Sequence, residues 1–282
     1  MGTKGALRGC ALLGGAGAFA FAMVAAAPLC AEDYSVGIIA GADSVSVNRG
    51  NRSRDLNPSP FAVLEIEYGD FLGGVFMTPT KIIDEVRPLA VGYLEYRPRI
   101  DDYRLFVGSR YHAFLGSSDF DFDLDRDGVI DKSGRKGFYE ANLGVRRYFK
   151  KGEATLRGFY SPNSFGETGD ALYVRASGKY YLGGDWSLRG HVGVSEFDDP
   201  RFNEDYWDYA VGVYTSVATF DVFVRYSDTA SLAGPSNRVV VVGFERYFSL
   251  KSGGAGGKPG YEKILNDLII DKAFLARSGV AQ

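Results

Sequence analysis

Cysteine is confined to the first 30 positions, at Cys10 and Cys30. Disulfide staples, thiolate nucleophiles and cysteine-ligated zinc are therefore excluded from the rest of the chain. Histidine is scarce too, with only His112 and His191. His112 precedes Ala-Phe-Leu-Gly-Ser-Ser and His191 precedes Val-Gly-Val-Ser195, and neither arrangement supplies the base, nucleophile and oxyanion donor of an acyl hydrolase. Phosphate loops and metal-binding histidine spacings are lacking, so the sequence is read as that of a non-enzyme that requires no cofactor. Positive charge is not in excess, with 32 Lys and Arg against 35 Asp and Glu, which leaves no footprint for nucleic acid. Beyond residue 31 no apolar run approaches the roughly 20 residues of a membrane helix. Gly (37 residues), Tyr (18) and Phe (20) are abundant, a profile of β proteins made for use outside the cytoplasm.

The start of the chain accounts for the cysteines. Lys4 and Arg8 precede an apolar, small-residue run over 11–27, the pattern of a secretory signal, with cleavage expected after Ala31. Lipid anchoring at Cys30 is the rival, but Leu29 and Ala27 depart from the residues it needs. Removing Lys4 and Arg8 leaves 30 basic against 35 acidic residues, a formal charge of −5. The expected organisation is a signal peptide (1–31), a barrel (32–250), a Gly-rich linker (251–260) and a C-terminal amphipathic helix (261–282).

Alternating polarity marks twelve segments of strand length, at 34–47, 61–68, 71–80, 87–96, 102–114, 138–149, 154–160, 171–182, 186–196, 206–216, 220–228 and 238–248. Connections on one side (69–70, 97–101, 150–153, 183–185, 217–219) have five residues or fewer, and those on the other (48–60, 81–86, 115–137, 161–170, 197–205, 229–237) are all longer. Outer-membrane barrels have short periplasmic turns and long outer loops, whereas a secreted sandwich has no reason to alternate in this way. The fold expected is all-β: an antiparallel transmembrane β-barrel of about 12 strands in the outer membrane of a Gram-negative bacterium, with both termini and the helix periplasmic. Its partners are outer-membrane lipid, the barrel assembly machinery and a small hydrophilic solute. Period two puts Leu188, Val192 and Val194, or Phe220, Val222, Val224 and Tyr226, toward lipid. Tyr96, Tyr111, Tyr181, Trp186 and Trp207 are expected in the aromatic girdles. The segment 238–248 reads as a closing strand, with Val240, Val242, Phe244 and Phe248 on one face; Arg246 departs from the pattern.

Arg49-Gly50 after the first strand, Glu140 within Phe138-Tyr-Glu-Ala-Asn-Leu-Gly144, Tyr160-Ser-Pro-Asn163, Val213-Tyr-Thr215 and Tyr226-Ser-Asp228 carry a resemblance to the TorF-like porin family, also called Gcw_chp outer-membrane proteins. The resemblance runs over about residues 34–248. It implies an outer-membrane barrel and names no solute.

Two constellations stand out. Asp123, Asp125, Asp127, the carbonyl of Val129 and Asp131 match the first nine positions of an EF-hand-type loop, with Gly128 at the turn, so the outer loop 115–137 is a candidate Ca²⁺ site. Position 12 is Gly134 rather than Glu, and Asp119 and Asp121 stand near enough to substitute. A solvated acidic loop is the alternative. Inside, alternation faces Arg104, Arg110, His112, Arg146, Arg157, Arg175, Lys179 and Arg189 toward the lumen, with Glu65, Glu67, Glu95, Asp208, Asp221 and Glu245 on the remaining arc. A basic wall opposite an acidic arc sets up a transverse field that orients polar solutes, unless the charges pair across and close the passage. The function expected is a porin-like channel for small hydrophilic solutes, against the alternative of a non-conducting structural or adhesive surface barrel.

Overall fold

A computed structural model describes residues 34–49, 51–52, 58–82, 85–116, 120–122, 132–134, 137–198, 204–231 and 238–251. Twelve long strands follow one another: β1 (Tyr34–Asp43), β2 (Ser59–Tyr68), β3 (Phe71–Ile82), β4 (Glu85–Tyr96), β5 (Tyr103–Phe114), β6 (Gly137–Phe149), β7 (Gly152–Ser161), β8 (Ala171–Gly183), β9 (Trp186–Phe197), β10 (Tyr206–Val217), β11 (Phe220–Ser231) and β12 (Val239–Lys251). Each pairs antiparallel with its neighbours in sequence. β12 returns to β1, with Phe248 opposite Ile38 and Phe244 opposite Ala42, and closes the ring. Closure satisfies the backbone donors and acceptors that lipid cannot. Among the described residues no helix is long and apolar enough to cross a membrane.

The alternation expected from the sequence is the alternation observed. Leu64, Val107, Leu143, Leu156, Leu188, Val192, Val211, Val224, Val240, Val242 and Phe244 are exposed on the outside of the cylinder, where they form an apolar belt for lipid. Tyr68, Phe71, Tyr96, Tyr103, Phe149, Trp186 and Phe220 add an aromatic rim near the end that carries the short turns, and Tyr139, Tyr160, Trp207 and Tyr209 one near the other end. Arg246 lies on the outer face with its guanidinium 4.8 Å from the ring of Phe248 and 5.5 Å from that of Phe220. The girdle position expected at Tyr181 belongs instead to Tyr180: Tyr181 shares the inward side with Lys179, whose ammonium is 4.5 Å from its ring. Gly69 turns β2 into β3 at φ 56°, a left-handed conformation that glycine adopts without strain.

Several boundaries differ from expectation. β1 ends at Asp43, because the alternating Val45 and Val47 that extend its pattern leave the wall and bury against the inside of the barrel. β3 and β4 leave only residues 83–84 between them, so one outer connection is as short as the inner turns. The expected strands 71–80 and 87–96 already hold both prolines, and Pro79 and Pro88 face each other within the hairpin. Each lies above the last ladder pair with the next strand, Ala62–Met77 on one side and Leu89–Phe114 on the other, where a missing N–H breaks no bond. β12 runs on to Lys251, past the expected limit at Phe248. The signal segment expected over 1–31 and the helix expected over 261–282 lie outside the described residues, as does the linker beyond Lys251.

Candidate functional site

Because successive side chains alternate, half of each strand points into the cylinder, and two very different halves result. Near the outer end, inward residues from every strand are buried, among them Ile39, Val63, Phe76, Val91, His112, Glu140, Phe159, Tyr173, Ser195, Asp208, Ser227 and Val241. Near the short turns, inward Glu67, Arg104, Tyr148, Ser177, Lys179, Tyr181, Arg189, Asp221, Phe223 and Tyr247 are partly or fully accessible. Accessible inward side chains are thus commoner at the end with the short turns, although Leu72, Ser187 and Tyr214 there are buried.

A column of alternating charge and aromatic rings rises along β4 to β8. At its foot, Arg146 Nε donates to Thr155 Oγ1 at 2.9 Å and Nη1 is 3.8 Å from Glu153 Oε1. Above it Arg157, 1% exposed, donates through Nη2 to Glu95 Oε1 and, at 2.6 Å, to Asn142 Oδ1. Arg110 stands between two carboxylates, 3.8 Å from Glu95 and 3.8 Å from Glu140. Rings interleave with the guanidinium groups: Phe106 lies 5.2 Å from Arg146 and 4.5 Å from Arg157, and Phe159 lies 5.3 Å from Arg157 and 4.6 Å from Arg110. Such buried charges are tolerable only when paired and hydrogen-bonded.

The other arcs differ from this column. On β8 to β10, His191 Nε2 is 2.8 Å from Asp208 Oδ1, and Tyr173 OH donates to the same oxygen at 3.4 Å. Arg175 and Arg225 are buried inward neighbours, and Arg189 lies 4.1 Å from the ring of Tyr214. On β1 to β5, the inward side is acidic only toward the short turns. There Glu65 accepts from Tyr93 OH at 2.7 Å and Glu67 from Arg97 Nη2 at 3.1 Å. Higher up the same arc is an apolar core of Ile39, Val63, Phe76, Leu89, Val91 and Phe114.

Loop residues complete the seal. After β1, Ser44 N donates to Val242 O at 2.7 Å, and Val45 and Val47 pack against Val241 and Phe223. A two-residue ladder, Val47–Asn48 with Asn51–Arg52, then turns the chain over the mouth. From this turn Arg49 crosses to the far wall: Nη2 donates to Glu140 Oε1 at 2.6 Å, and the guanidinium lies 3.9 Å from the ring of Tyr173. Between β7 and β8, a short 3₁₀ turn (Phe165–Glu167) drops Phe165 onto Phe114, edge to face, with centroids 5.1 Å apart. Both plugs are built by outer loops and pack onto rigid strands.

The inward residues expected from the sequence therefore divide. Arg104, Lys179, Arg189 and Asp221 border the accessible half, with Asp221 accepting from Ser216 Oγ. Arg110, His112, Arg146, Arg157, Arg175, Glu65, Glu95, Asp208 and Glu245 are buried, and several pair across the interior as the closed alternative required. Sequence reasoning left Glu140, Arg97, Phe106, Phe159 and Tyr173 out of the lumen, although the parity that placed Arg146, Arg104 and Arg157 places them as well. Arg49 was noted for resemblance only; as a loop residue it carries no periodic signal.

The five acidic-loop positions Asp123, Asp125, Asp127, Val129 and Asp131 lie outside the described residues. Their flanks meet in a short antiparallel ladder, Phe120–Phe122 with Lys132–Gly134. Among the described residues no group of three or more His, Cys, Asp or Glu is placed to hold a metal ion.

No protein-family model matches the sequence, and no curated protein does either. Solved structures do match in fold. KdgM porin superposes with a TM-score of 0.51 at 10% identity, covering 75% of this chain and 99% of that one. The same porin in complex with disordered oligogalacturonate gives 0.51 at 9% identity over 75% and 99%. An outer-membrane channel from Pseudomonas putida F1 gives 0.49 at 13% identity over 77% and 96%. At these identities the likeness to the KdgM porin concerns the fold alone, a closed antiparallel β-barrel.

Proposed function

We propose that the protein is an outer-membrane channel for small hydrophilic solutes, in a conformation shut at its outer end. The observation that carries this reading is the division of the lumen: the half near the periplasmic turns is polar and accessible, and loop side chains, Arg49 and Phe165, complete the closure of the other. A wall that needs loops to shut it is a passage when the loops withdraw. Passive or facilitated diffusion through a barrel with both termini periplasmic, assembled by the general barrel machinery, is what the resemblance to the TorF-like porin family implies. Reconstitution into planar bilayers tests it. Stepwise conductance is expected, and a folded, heat-modifiable barrel that stays silent at all voltages would refute it.

A second reading is favoured by the burial of the outer half: a barrel that never conducts and displays its outer loops to a partner. Calcium belongs to this reading, because extracellular calcium near millimolar would fill a site with a dissociation constant of about 10⁻⁴ to 10⁻³ M. Calcium is then expected to protect residues 115–137 of intact cells from protease, and Asp125→Asn with Asp127→Asn to abolish that protection. Equal cleavage with calcium and with chelator would remove the site.

A further inference from the structure

We propose that Glu140, Tyr173 and Phe159 form a guanidinium-binding site in the outer half of the lumen, and that Arg49 is its tethered occupant. When the loop withdraws, the same site receives a solute that carries a guanidinium or ammonium group. The inference names the solute class of the channel proposed above and rests on that reading for its use, although binding at the site is measurable without conductance.

The site has the parts that recognise a planar cation. Glu140 supplies a buried carboxylate, and Tyr173 and Phe159 stack with centroids 5.9 Å apart and present faces 3.9 and 5.6 Å from the Arg49 carbon. All three residues stand on adjacent strands β6, β7 and β8, within a rigid wall, whereas the occupant arrives on a loop from β1. Arg49 holds a left-handed backbone, φ 38°, which is strained for a side-chain-bearing residue and favours release. It also leaves the carboxylate half used. Glu140 Oε1 accepts at 2.6 Å, but buried Oε2 has no hydrogen bond; Arg110 Nη1 and His112 Nε2 approach it only to 3.8 Å. An untethered guanidinium is able to engage both oxygens, the bidentate geometry that a carboxylate prefers.

Pairing at Glu140 selects the sign of the solute. Arg49, Arg110 and Arg157 face Glu95 and Glu140 in this cluster. Departure of Arg49 takes the 2.6 Å donor from Glu140 Oε1, so a cationic donor restores the closed-state hydrogen bond and an anion is repelled by that oxygen.

The test uses the full-length folded barrel in detergent, with agmatine as the probe. Arg49→Ala should bind agmatine with a dissociation constant at least about tenfold lower than wild type, whose own side chain competes at the millimolar effective concentration of a short tether. Adding Glu140→Gln should abolish the gain, and Tyr173→Leu serves as the second disabling variant if the first fails to fold. In bilayers, agmatine should block Arg49→Ala channels while acetate does not. Conducting Arg49→Ala channels that neither bind nor respond to agmatine would overturn the site and leave the channel intact. Blocking by acetate in place of agmatine would overturn the solute class. Agmatine binding without conductance in either protein would keep the site and refute the channel.

Discussion

The outer and inner halves of the lumen are built from the same twelve strands, with the same alternation and many of the same residue types, yet one is dry and the other wet. Ser195 and Ser177 show the contrast: both are inward serines on neighbouring strands β9 and β8, but Ser195 is 0% exposed and Ser177 is partly accessible. Arg157 and Arg189 repeat it with arginine, the first enclosed by Glu95 and Asn142, the second laid over Tyr214 in reach of water. Wall composition distinguishes the halves on β1 to β5, where the loop end is apolar, but charged residues line both halves of the other arcs. The outer half has loops folded into it and the inner half has short turns, all but one of two residues, so loops set access while strands set size.

Cysteine accessibility probes the contrast most sharply. Ser177→Cys should react quickly with a charged thiol reagent, and Ser195→Cys should be protected by at least about a hundredfold, since only exposed thiolates react. Equal rates would mean that the outer half opens freely and that its burial carries no closure.

The next largest effect is energetic. Glu140→Ala strands Arg49, Arg110 and His112 beside a lost carboxylate and should cost about 3–5 kcal/mol in urea unfolding. Lys179→Ala, in the accessible half, should stay within about 1 kcal/mol. Similar costs at the two sites would erase the distinction between a packed and a hydrated half.

Selectivity should follow the wet half. In the triple change of Arg157, Arg175 and Arg189 to Gln, the shift of reversal potential toward cations is expected to come mainly from Arg189→Gln, because ions meet that side chain in water. Arg157→Gln alone should weaken the fold more than it alters selectivity. A reversal potential governed by Arg157 would place the conducting path through the column. Smallest of all is Ala218→Gly in the turn between β10 and β11. It relieves a left-handed alanine at φ 55° and should stabilise by about 1 kcal/mol with conductance unchanged.

Strands and faces were legible in the sequence because period two is imposed by the backbone itself. Val45 and Val47 show the limit of that signal: they continue the alternation of β1, but the pattern reports which face is apolar and not what covers it. Residues 88–94 (Pro-Leu-Ala-Val-Gly-Tyr-Leu) carry apolar groups on both faces, the mark of a strand buried on both sides. Applied to β4, that mark reads Leu89 and Val91 as interior packing where an acidic arc was expected. Glu140 was within reach of parity. Its pairing with Arg49, 91 residues away, was not, since a contact between a loop and a distant wall leaves no local trace.

The seam between β1 and β12 sets a condition in time as well as space. Val36 lies opposite Lys251, with a register shift beside it at Gly37, so residues near the two ends of the described chain must find each other. Every other ladder joins sequence neighbours and is able to form while the chain is still emerging; this one waits for the last strand and bears the largest loop-closure cost. Until then the sheet has two bare edges, each a template for another chain. A polypeptide halted before Val239 is therefore not a smaller barrel but an open ribbon with nothing to close upon, and the final thirteen residues of the sheet decide whether the preceding eleven strands become a vessel or an aggregate.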